Sequence, residues 1–115
     1  MRDWLTEAGF PGVEEDGDAL WARLTDGTTE FRADPGPDEV WRLTLRWPVR
    51  LSAPAITAWN AAHPAAALGL TEGETCLTMT AKGPEDLAVW QALTTGMIAL
   101  CRETRRAQRA RGEGM

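Results

Sequence analysis

One histidine, two cysteines and a run of acids are the residues of this chain best suited to chemistry, and their spacing supports none. His63 stands directly before Pro64 with no nucleophile signature around it. A general base must lie within hydrogen-bond reach of a defined partner, so His63 reads as a loop or helix-end residue. Cys76 and Cys101 belong to no CxxC pair and have no histidine nearby. Both read as small apolar residues. A disulfide between them stays open, although without an export signal nothing favours one. Glu14-Glu15-Asp16-Gly17-Asp18 lacks the twelfth-position glutamate of a calcium loop and reads as a solvated turn. Histidines, cysteines and carboxylates are not clustered at metal-ligand spacing, and GxGxxG and Walker sequences are absent. The expectation is a protein that is not an enzyme, with no catalytic, cofactor or metal residues.

Aromatic and basic residues are the more informative set. The chain has six tryptophans and no tyrosine. Trp41, Trp47, Trp59 and Trp90 fall on apolar faces and are expected in the core. Trp21 falls on the same strand face as Arg23. With Arg32, Arg42 and Arg46 it forms a candidate binding face, because aromatics and arginine are enriched at interfaces. The alternative is that a terminal segment folds over Trp21. Net charge is −5 and uneven: residues 1–101 hold 15 acids and 7 bases, residues 102–115 hold 2 acids and 5 bases. An acidic body argues against nucleic acid, whose phosphates supply most nonspecific affinity. The arginine-rich end reads as a solvated helix terminus. No apolar run reaches the length of a membrane span. The N-terminal residues carry acids at positions 3 and 7, unlike a secretory signal, so the expected location is the cytoplasm.

These residues must be placed by a sheet and three helices. Residues 1–9 suit a short helix, closed by Gly9 and Pro11-Gly12. Asp18 to Thr25 and Thr28 to Asp34 read as strands joined by Asp26-Gly27, a strong hairpin signal. Leu20, Ala22 and Leu24 alternate with Trp21 and Arg23. Glu39 to Trp47 is the clearest strand: Trp41, Leu43, Leu45 and Trp47 alternate with Val40, Arg42, Thr44 and Arg46, as in a sheet covered on one side. Ser52 and Pro54 open a helix over Ala53 to Ala62, with Ile56, Trp59, Ala55 and Ala62 on its inner side, and Pro64 stops it. A second hairpin follows, Ala65 to Leu70 and Glu74 to Ala81, turning at Glu72-Gly73.

The last element is a helix of about residues 84–109, with 112–115 as a frayed tail. Glu85 and Asp86 complement its positive end and Arg102, Arg105, Arg106 and Arg109 its negative end. Leu87, Trp90, Met97 and Cys101 recur on one face and are the candidate dimer or packing residues. Val89, Leu93 and Leu100 widen that face, so the helix is expected to pack on two bodies, such as the sheet and a neighbouring helix or second subunit. Gly96 reads either as a close backbone approach or as a tolerated surface glycine. The fold class is α+β, one domain over residues 1–115, with a mainly antiparallel five-stranded sheet, helices on one face and order α-β-β-β-α-β-β-α.

That order, together with Ile56-Thr57-Ala58-Trp59-Asn60 and the strand pair that follows with Gly73 at its turn and Leu77 and Met79 alternating, resembles the YbjN-type domains. These belong to the type III secretion chaperone-like fold and are sometimes described as sensory transduction regulators. His63-Pro64 departs from the pattern, where a charged or polar turn is expected. The resemblance implies a non-enzymatic binding protein, commonly a homodimer, holding a protein or peptide client. It carries no catalytic residues. The alternative reading is a small-ligand regulatory domain using the Trp-Arg face.

Overall fold

Alternation decides the sheet. In the computed structural model, which describes residues 1–111, six strands pair antiparallel throughout: β1 (Glu14–Asp16), β2 (Ala19–Arg23), β3 (Glu30–Pro35), β4 (Trp41–Trp47), β5 (Ala67–Thr71) and β6 (Glu74–Ala81). Their spatial order is β1-β2-β3-β4-β6-β5. Among the described residues there are three α-helices: α1 (Arg2–Glu7), α2 (Ala53–Ala62) and α3 (Glu85–Ala110). The tail expected to fray at 112–115 lies outside the described residues.

One face of the sheet is dry. Leu20, Ala22, Phe31, Ala33, Leu43, Leu45, Leu77 and Met79 are buried, and Leu5 of α1, Trp59 of α2 and Leu87, Trp90, Met97 and Cys101 of α3 join them in one cluster. Each strand residue follows the period of two expected of a sheet covered on one side. Phe31 meets Phe10 and Trp90 edge-on, with ring centroids 5.2 and 5.7 Å apart. Trp59 and Trp90 are buried as expected, whereas Trp41 and Trp47 are half-buried at the core margin. Ala62, expected on the inner side of α2, is exposed.

The strand count is a correction. Glu14–Asp16, read as a turn, is a sixth strand that pairs with β2 through Glu14↔Trp21 and Asp16↔Ala19. It was illegible because it is a three-residue edge strand whose residues are all exposed; without a buried face there is no alternation to read, and charge is how exposed edges resist further pairing. The second hairpin is shifted by one or two residues, β5 running from Ala67 to Thr71 rather than ending at Leu70. Its turn is Glu72-Gly73, with φ of 52° and 81°. Two successive positive φ values define the hairpin turn that matches strand twist, and glycine adopts one of them at no steric cost.

Two polar residues tie the connections down. Thr75 of β6 is fully buried; its backbone N–H and its hydroxyl both donate to the Val49 carbonyl, and the hydroxyl accepts from Leu51 N–H at 3.3 Å. This anchors the link between β4 and α2. Asn60, near the end of α2, donates to the Leu68 carbonyl at 2.9 Å and accepts from Leu68 N–H at 2.8 Å. The amide thus occupies the outward backbone groups of edge strand β5 at its second residue.

Candidate functional site

The sheet's second face carries the residues expected there, but they are not equivalent. Trp21 is half-buried. Its indole N–H donates to Asp16 at 3.2 Å, and the Arg32 guanidinium lies 5.3 Å from its ring centroid. Arg32 also donates to Asp16 at 2.6 Å and to Asp34 at 2.9 Å. Bonds from Arg32 first, and from Trp21 second, hold the Asp16 carboxyl below its usual range, and the same carboxylates raise Arg32. Within the chain, Arg32 lies over part of Trp21, with β1 supplying the acid that holds both. The unexpected strand decides this, since Asp16 belongs to it.

Arg46 is engaged as well. It bonds Glu74 at 2.8 Å and Glu72 at 3.3 Å, and donates to the Thr71 carbonyl at 3.4 Å. These partners raise its pKa, Glu72 contributing most. Of the four candidate arginines, Arg23 and Arg42 alone have no hydrogen bond or ion pair from their side chains among the described residues. Arg23 lies beside Glu14 and Glu30 in a small hollow that already supplies negative charge.

Arg42 sits differently. It is exposed on the central strand β4, directly across from Asp34 and Thr80, and the Asp34 carboxylate is held by Arg32. Arg42 lines a hollow of about 310 Å³ with Thr78, Thr80, Met79 and the 64–67 segment. Pro64, directly after His63, begins one wall of that hollow. His63 stacks on Trp59, rings 4.3 Å apart and 10° from parallel, with Nδ1 3.2 Å from the Trp59 carbonyl. The residue considered for catalysis is thereby used as a helix-end support. An unpaired guanidinium beside two hydroxyls, over a partly apolar floor, suits a carboxylate or another planar anion, which arginine can bind through two parallel bonds.

The helix candidates resolve otherwise. Leu87, Trp90, Met97 and Cys101 are fully buried in the chain's own core, so they pack α3 on the sheet and are not open to a second subunit. Burial pushes the Cys101 thiol up, and its Sγ lies 3.5 Å from Met97 Sδ. Cys76 is half-buried on the open face; both cysteines are free thiols. Among the described residues no three His, Cys, Asp or Glu side chains gather as metal ligands, and no helix is long and apolar enough to cross a membrane.

Alternation puts Thr78 and Thr80 on the open face with Arg42, whereas the 64–67 wall of the hollow left no signal in the sequence. The alternation signal for Thr78 and Thr80 was present, but only the β4–β6 register sets them beside the arginine. No family model, curated protein or solved structure matches this chain.

Proposed function

We propose that this protein is a non-enzymatic binding module that holds an acidic segment of a protein or peptide client on the open face of its sheet. The observation that supports it is the state of Arg42: among the described residues it is unpaired, exposed and set in a hollow on a sheet face that no helix covers. Binding across the face is favoured over strand addition at the β5 edge, because Asn60 already occupies Leu68 N–H and C=O and main-chain bonds are what strand addition requires. A role of this kind is what the resemblance to YbjN-type and secretion chaperone-like domains implies.

An array of extended peptides graded in net charge tests the reading. Wild type should retain the acidic members, Arg42→Glu should lose them, and Arg23→Glu should retain them. Equal retention by wild type and Arg42→Glu overturns the assignment of the site.

The size of the hollow favours a second reading. Its 310 Å³ reaches the lower end of the ~300–1,000 Å³ range of small-molecule sites, so a small dicarboxylate would also fit, as in a ligand-sensing regulatory domain. A thermal-shift screen separates the two, since a ligand that binds only the folded state raises the melting temperature. Stabilisation by a small dicarboxylate, lost in Arg42→Glu, with no retention on the array, favours the sensor.

A further inference from the structure

The side of α3 that points away from the sheet carries no formal charge from Ala88 to Leu100, in a chain of which 25% is charged. A helix covering a sheet buries one stripe and ordinarily presents charge to water on the other. Here Ala88, Val89, Ala92, Gly96 and Ala99 are exposed and Leu93 and Leu100 half-buried. Val89 is 40% exposed, one of two large apolar side chains so placed among the described residues. α2 adds no charge either, since residues 51–71 contain no Asp, Glu, Lys or Arg.

We propose that a second copy of this chain packs on this face, α3 against α3 and antiparallel, with the helices crossing at Gly96. Gly96 lies near the middle of α3, and a Cβ built there meets nothing within 4 Å. Its own fold does not require a glycine at this position, whereas a close second backbone does; small residues at the crossing allow two helices to approach.

Charge selects the occupant. Glu85 near one end of α3 and Arg106 near the other are both exposed and make no hydrogen bond or ion pair among the described residues. At a rise of about 1.5 Å per residue, Glu85 lies about 16 Å from Gly96 along its helix and Arg106 about 15 Å in the other direction. An antiparallel pair crossing at Gly96 therefore brings Glu85 of each copy to the height of Arg106 of the other, twice by symmetry. A parallel pair would set like charges together. Glu103, also on the outward side, falls one turn before Arg106 of its own chain. The face is thus complementary to itself. One helix pair supplies the contact, short of the several elements that make up a standard-size interface, so the dimer is expected to dissociate on dilution.

This interface lies on the opposite side of the sheet from Arg42 and does not depend on the ligand reading. Sedimentation equilibrium over a concentration series tests it. Wild type should rise from 12.6 kDa toward twice that mass, and Arg42→Glu should do the same. Gly96→Arg and Ala92→Glu should each stay at the monomer mass with an unchanged circular dichroism spectrum, since both positions are exposed. Glu85→Arg and Arg106→Glu should each weaken association, and the two together should restore it. A wild type that is monomeric throughout overturns the proposal. So does a dimer that survives both Gly96→Arg and Ala92→Glu, or a charge swap that fails to restore association, which would exclude the antiparallel pairing.

Discussion

Replacing Thr75 with Val keeps the shape of the side chain and removes only its hydroxyl, at the point where β6 holds the 48–52 connection. The Val49 carbonyl keeps one partner in the Thr75 N–H at 3.1 Å. Leu51 N–H loses the Thr75 oxygen it donates to at 3.3 Å, in a residue only 1% exposed. A buried donor left without a partner costs about 1–3 kcal/mol, and the extra methyl of valine recovers only a fraction of this. The expected loss is about 2 kcal/mol, or ~8 °C in melting temperature for a domain of this size. Thr75→Ser retains both hydroxyl bonds and gives up one methyl group, about 1 kcal/mol. Urea unfolding followed by tryptophan fluorescence measures both, and hydrogen exchange at the Leu51 amide should accelerate in Thr75→Val alone. If Thr75→Val is as stable as Thr75→Ser, or the Leu51 amide is equally protected in both, the hydroxyl is not what anchors this segment.

Trp90 presents the opposite balance: it is fully buried and its indole N–H has no partner. Trp90→Phe removes the stranded donor, whose cost of ~1–3 kcal/mol offsets much of the lost ring volume. That variant should lose under about 1.5 kcal/mol and Trp90→Ala about 4 kcal/mol in thermal unfolding. Asp26 contributes to acid sensitivity. The Thr29 hydroxyl first, then the Thr29 and Thr28 N–H groups, hold its carboxyl at about 2, below its ordinary 3.8. A depressed folded-state value stabilises the protein above the ordinary one and is lost as pH falls toward the folded one. Because Asp26 is exposed, screening limits the effect to about 1 kcal/mol. Asp26→Asn should be less stable than wild type at neutral pH, with the gap closing between pH 4 and 2 in acid titrations of stability.

Much of the framework was legible because its causes are local. Alternation at Trp41–Trp47 sorted Leu43 and Leu45 inward and Arg42, Thr44 and Arg46 outward, as the structure has them. Asp26-Gly27 and Glu72-Gly73 marked both hairpins, Ser52 capped α2 where expected, its hydroxyl accepting from Ala55 N–H, and the inner face of α3 followed from its three-and-four spacing. The site was only half legible. The five members of the Trp-Arg face were all found, yet nothing in the spacing told the paired from the unpaired.

By itself the sequence determined which side chains leave water, since the periods of strand and helix act over a few residues and each element reports its own buried face. Tertiary structure decided the partners. Asp16 reaches Trp21 and Arg32 only because an acidic edge strand pairs with β2. Glu72 and Glu74 occupy Arg46 only because β4 lies beside β6. Arg42 is left unpaired in its hollow because the one acid across from it is held by Arg32. Leu87, Trp90, Met97 and Cys101 are spent on the chain's own core, so the outward side of α3, around Gly96, is what remains for another molecule. Pairing energies depend on distances between residues far apart in the chain, and periodicity contains no term for those.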